Sequence, residues 1–110
     1  MHFLLMYDVV ENYTSARAPF RKLHLLHATA AHQRGELVLG GALANQPAHA
    51  SAGPRLGAVI VFKSDSPKVA EDFAKADPYV LNGVVTSWRV HEWTTVVGDH
   101  PSVHVDPNSL

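Results

Sequence analysis

A chain of 110 residues, 46% hydrophobic and 17% charged, has the length and composition of one globular domain, not of a disordered polymer. Its formal net charge of -1 offers no basic field to nucleic acid or to an acidic membrane surface. With no cysteine it has neither disulfides nor thiolate metal sites, which leaves its redox compartment open.

The start, Met1-His2-Phe3-Leu4-Leu5-Met6-Tyr7, is apolar and stops at Asp8. It lacks a basic n-region and is too short to span a bilayer, so neither a signal peptide nor an anchor is expected, and a cytoplasmic protein is. Phe3 to Asp8 reads as a first strand. Phe3, Leu5 and Tyr7 on one face and Leu4 and Met6 on the other are all apolar, the pattern of a strand covered on both sides. Glu11 to Ser15 is polar and turn-like. A helix is expected from Ala18 to Arg34, with Pro19 in its first turn and Gly35 as its stop. Turning about 100° per residue from Phe20 puts Leu23, His24, Leu26, His27, Ala30 and Ala31 with it on the inward stripe. Lys22, Thr29, His32 and Gln33 fall outside. His27 lies near the middle of the stripe. His24 lies at its edge, where a side chain touches both core and cavity.

Glu36 to Leu43 reads as a second strand, with Gly40 and Gly41 marking a bulge or a close approach to the backbone. Asn45 to Arg55 is the longest loop, with the composition of a mobile lid. Leu56 to Phe62 is a third strand, again apolar on both faces. Ser66 and Pro67 open a second helix as N-cap and first residue, with Val69, Phe73 and Ala76 inward. Pro78 disfavours the helical conformation at Asp77, so the helix should break there. Pro78 to Asn82 then makes one more turn, closed by Gly83. Val84 to Val97 is the last strand, with Trp88 and Trp93 on opposite faces. Residues 1–98 form the domain and 99–110 a tail.

The order β-α-β-β-α-β is the split βαβ, ferredoxin-like arrangement, an α+β fold with two helices on one face of a four-stranded antiparallel sheet. Strands one and three are apolar on the other face too. A second copy of the same sheet is the simplest cover, so a homodimer is expected, burying roughly 800 Å² per partner.

Asp77-Pro78 places a carboxylate beside a helix break. Such an Asp is an ordinary N-cap with Pro at the first helical position, and one oxygen can cap while the other accepts from an imidazole. His24 reads either as a hydrogen-bonded packing residue or as a reactive imidazole. If the two meet, the carboxylate fixes which nitrogen carries the proton, and the imidazole can move protons for a gain of about 10²- to 10⁴-fold in rate. Arg17 and Arg21 lie on the same side of the helix, either as solvated charges or as holders of a substrate oxyanion. Tyr7 and Tyr79 can donate a phenol hydrogen bond or pack. His24 and His27, three apart, could touch one metal, but no third ligand is placed nearby, and neither a metal nor a cofactor is expected. His91-Glu92 begins a zincin motif that fails at Thr95, and no phosphate loop, nucleophile elbow or dinucleotide fingerprint is present.

Three stretches together carry a family resemblance: Arg21-Lys22-Leu23-His24-Leu25, Gly35 to Leu43, and Phe73-Ala74-Lys75-Ala76-Asp77-Pro78-Tyr79. With Gly83-Val84-Val85 and the strand through Trp93 they cover about residues 2 to 98. The chain resembles the YciI (YCII-related) family, which is similar in fold to muconolactone isomerase and the wider dimeric α+β barrel group. The resemblance implies subunits packed sheet to sheet, and it maps a His–Asp pair onto His24 and Asp77. It implies a cofactor-free lyase or isomerase acting on a small cyclic or aromatic-derived acid. His24 would shuttle the proton and Asp77 orient it, with Arg17, Arg21, His27, Tyr79 and Gly41 around the substrate. The rival readings are a non-catalytic ligand-binding or accessory module, and a monooxygenase-like or haem-associated member in which His24 or His27 is a ligand. His27, the 45–55 loop and the tail depart from the family pattern, so the substrate does not transfer.

Overall fold

The computed structural model describes residues 1–44 and 55–110. The lid expected in the long loop therefore lies outside the described residues. β1 (His2–Val9), β2 (Leu37–Ala44), β3 (Arg55–Lys63) and β4 (Val85–Trp93) form one antiparallel sheet in the order β2-β3-β1-β4. The register puts Phe3 opposite Phe62, Leu5 between Ile60 and Val90, and Tyr7 between Ala58 and Trp88. That row is the buried face. On it lie α2 (Arg21–Gln33) and α3 (Lys68–Ala76), with one-turn helices α1 (Tyr13–Ala16) and α4 (Pro78–Leu81) at their ends. The core joins Phe3, Leu5, Ile60 and Phe62 of the sheet to Ala31, Ala70, Phe73, Ala74 and Tyr79 of the helices. This is the expected ferredoxin-like subunit.

Several local expectations need correction. The first long helix starts at Arg21, not Ala18. Residues 18–20 form a 3-10 turn around Pro19, and the polar stretch before it coils into α1. Leu23 and Leu26, expected inward, are 57% and 58% exposed. The inward row is instead Phe20, His24, His27, Ala28 and Ala31. Small residues let α2 approach the sheet, and both imidazoles find hydrogen-bond partners there, which removes the cost of turning them in. In α3 the buried row is Ala70, Phe73 and Ala74, while Ala76 is exposed. The glycine pair is not the bulge: Gly40 and Gly41 pair regularly with Ile60 and Val59, and the register shifts on either side of them, between Leu37 and Leu39 and between Leu43 and Ala44. β4 ends at Trp93, four residues short of the expected limit.

Gly57 permits the close pairing of β3 with β1. A Cβ there would collide with the Tyr7 carbonyl oxygen, a backbone atom that cannot rotate aside. Gly57→Ala is expected to cost about 1–3 kcal/mol through this overpacking. The midpoint of urea unfolding reads the loss, and an unshifted midpoint would show that the strands yield freely.

The opposite face of the sheet carries Leu4 and Met6 of β1, Val59 and Val61 of β3, Leu39 and Leu43 of β2 and Trp93 of β4. Leu39 is 72% exposed.

Candidate functional site

The site begins with Pro78. It holds Asp77 extended, at φ -69° and ψ 124°, which ends α3 and makes Asp77 the N-cap of α4. The cap turns the carboxylate inward, where it is fully buried. Three donors converge on it. The Tyr79 amide donates to Oδ1 at 2.9 Å, and the Tyr7 hydroxyl donates to Oδ2 at 2.8 Å. His24 Nδ1 lies 2.9 Å from Oδ1 and 3.0 Å from Oδ2. Residues 7, 24 and 77 thus meet from β1, α2 and the α3–α4 break.

A carboxylate only accepts, so the hydrogen sits on His24 Nδ1. In the neutral imidazole Nε2 then carries the lone pair, and it has no protein partner among the described residues. The Tyr79 ring lies flat against the imidazole, centroids 3.8 Å apart and planes 5° from parallel. Tyr13 meets Tyr79 edge-on at 6.1 Å, and the Arg17 guanidinium sits 4.8 Å from the Tyr13 ring centroid. Imidazole, phenol, phenol and guanidinium form one continuous row of contacts.

In front of this row is a cavity of about 270 Å³. Arg17, Arg21, His24 and Tyr79 border it with Tyr7 and Tyr13, and Leu25 forms part of its rim. Ala28, Gly40, Gly41, Ala42 and Ala58 line the rest, with Ile60. None of those five carries more than a methyl group, and that keeps the space open. A Cβ on Gly40 would point into it, 3.3 Å from Ile60 Cγ1.

Of the residues singled out in the sequence, His24, Arg17, Arg21, Tyr79 and Gly41 border this one cavity, and Asp77 stands directly behind His24. His27 does not border it. Its Nε2–H donates to the Phe73 carbonyl at 2.9 Å, and its ring stacks on Phe73 at 4.3 Å. It faces a separate hollow of about 210 Å³ beside Phe62, Val69 and the Arg34–Glu36 ion pair. Among the described residues, no three His, Asp or Glu side chains gather as a metal set. Sequence reading left Tyr13 out. Its only signal was the i, i+4 spacing to Arg17, which one helical turn converts into a contact.

Burial, with the nearby Asp77 charge and its hydrogen bond, holds the Tyr7 phenol well above its ordinary 10.0. Burial raises Tyr79 too, with Tyr13 adding and Arg17 and Arg21 opposing. Unfolded phenols ionise near 10. Above that pH the unfolded chain holds fewer protons than the folded one, so stability falls as pH rises past about 10 and is fully present below it. Tyr7→Phe should remove part of this alkaline loss in unfolding curves taken from pH 8 to 11, and an identical slope would show that Tyr7 carries none of it.

The YCII-related domain family matches residues 1–94. The chain belongs to that family. Among solved structures, one similar to this YCII-related chain is 5-chloro-2-hydroxyhydroquinone dehydrochlorinase (TftG) from Burkholderia phenoliruptrix AC1100, in complex with 2,5-dihydroxybenzoquinone. The TM-score is 0.70 over 86% of this chain and 95% of that chain, at 17% identity, a likeness of fold. No curated protein sequence matches. The YCII-related region ends just past β4, and the segment beyond it is tied back to β1: His2 Nδ1 lies 2.6 Å from Thr95 Oγ1 and 3.0 Å from Ser102 Oγ. Among the described residues no helix is long and apolar enough to cross a membrane.

Proposed function

We propose that this YCII-related protein is a cofactor-free lyase or isomerase that moves a proton on a small cyclic or aromatic-derived acid. One observation carries the reading: an imidazole held at Nδ1 by a buried carboxylate presents its free Nε2 to a cavity bordered by two arginines. His24 Nε2 takes a proton from a ring carbon or hydroxyl. The electron pair left behind moves onto a ring oxygen, where Arg17 or Arg21 meets the developing negative charge. The positive charge gained by His24 lies between the Asp77 carboxylate and the face of Tyr79. Collapse of the enolate with loss of an anion from the adjacent carbon completes an elimination. Return of the proton from His24 to a different carbon completes an isomerisation.

The similar dehydrochlorinase, which acts on a chlorinated hydroxyhydroquinone by its name and binds a dihydroxybenzoquinone, supports an oxygenated ring as the substrate class. The test is incubation with halogenated hydroxyhydroquinones and unsaturated ring lactone acids in D2O. Proton NMR should show loss of ring C–H signal, or a halide-selective electrode should record release of halide. Binding without exchange or turnover, at an affinity unchanged in Asp77→Asn, would make this a binding module instead.

The working form in this proposal is a cytoplasmic homodimer closed through the uncovered sheet face. Light scattering should give twice the 12.0 kDa chain mass. Leu39→Asp, which puts a charge into that face, should return the particle to one chain, and a single-chain wild type would remove the dimer.

A further inference from the structure

Helix α2 turns its leucines away from the core while carrying His24 inward. Leu25 is 46% and Leu26 58% exposed. Burial in the subunit therefore does not account for them. Leu25 borders the cavity, and Leu26 does not. A second, wide-open hollow of about 380 Å³ runs along α2, lined by Arg21, Lys22, Leu25, Leu26 and Thr29. Arg21 and Leu25 border the cavity and this hollow alike. The two are therefore neighbouring compartments with a shared wall, one polar and aromatic, the other floored by leucines and by the aliphatic stems of Arg21 and Lys22.

We infer that the substrate's ring carries a short alkyl substituent, which leaves the cavity past Arg21 and Leu25 and lies on Leu26. This rests on the ring-binding role proposed above and specifies its substrate class. The oxyanion of the ring stays with Arg17 and Arg21 beside His24 at the cavity; the hollow carries the Arg21 and Lys22 cations at its edge too, so its apolar floor of Leu25 and Leu26, not charge, selects the substituent. From Leu25 to Thr29 the helix advances one turn, about 6 Å, which limits the substituent to a few carbons.

The experiment compares 2,5-dihydroxybenzoquinone with its 3-methyl, 3-propyl and 3-pentyl derivatives by calorimetry on the full chain. Affinity should rise about two- to threefold per methylene up to propyl or pentyl, below the value for full burial because one side stays wet. Leu26→Ser should flatten that dependence, and Leu23→Ser, an equally exposed leucine outside the lining of the hollow, should keep it. Equal affinities along the series, with binding that still depends on His24, would overturn this inference alone. Failure of every member to bind would remove the ring-binding role and this inference together. If Leu26→Ser halves the particle mass in light scattering, the leucines form an interface between copies and the inference is wrong.

Discussion

His24→Ala is expected to slow turnover by about 10²- to 10⁴-fold, the usual worth of a positioned general acid or base. This corresponds to roughly 3–5 kcal/mol of transition-state stabilisation. The fold should survive. His24 is partly exposed, and its loss leaves Asp77 with two of its three donors, the Tyr7 hydroxyl and the Tyr79 amide. A cost of about 1–3 kcal/mol is expected from a total of about 5–15. The signature is a large fall in kcat with a modest fall in unfolding midpoint. Turnover within a few-fold of wild type would end the proposal that this imidazole moves the proton.

Asp77→Ala should do the opposite in proportion, with stability the larger casualty. Three donors lose their acceptor at once: the Tyr7 hydroxyl, the Tyr79 amide and His24 Nδ1. The Tyr7 and Tyr79 groups are buried where water cannot replace it. A loss of about 3–5 kcal/mol is expected, a large share of what a domain of this size has. Asp77→Asn keeps the volume but offers one oxygen to three donors and turns an NH2 toward one of them, so an intermediate loss is expected. Activity should fall in both variants, because nothing then selects the tautomer that leaves Nε2 free. A double-mutant cycle of His24→Ala with Asp77→Ala should show coupling of about 0.5–3 kcal/mol. Strict additivity would mean that the two side chains, although 2.9 Å apart, do not work as a unit.

Much of the site could be read before the fold was known, for a local reason. Asp77-Pro78 fixes its own geometry, since a proline at the first helical position and an Asp before it make a cap in almost any context. Arg21 and His24 recur at helical spacing and share a side of α2, whereas Arg17 precedes that helix and reaches the cavity from the end of α1. His27 shows where such reasoning stops. It too lay on the calculated stripe, yet it bonds the Phe73 carbonyl and faces another hollow, because three residues of rotation separate two compartments. The calculated stripe also turned Leu23 and Leu26 inward, where the folded helix turns Ala28; Ala31 was on that stripe and is buried. Hydrophobicity alone ranks leucine above histidine for the core, and it contains no term for a partner found elsewhere in the chain.

The order of elements, the two-faced apolar strands, the helix break at Pro78 and the family are all written in the linear chain. Each of these depends on neighbours along the chain or on periodic pattern. Folding in three dimensions settled the rest: that Tyr7 would hold the far oxygen of Asp77, that Tyr79 would stack on the imidazole, and that Gly40, Ala42 and Ala58 would leave room in front of it. Those are contacts across strand register and helix rotation, set by which packing satisfies every buried polar group at once, and no local stretch of chain specifies them.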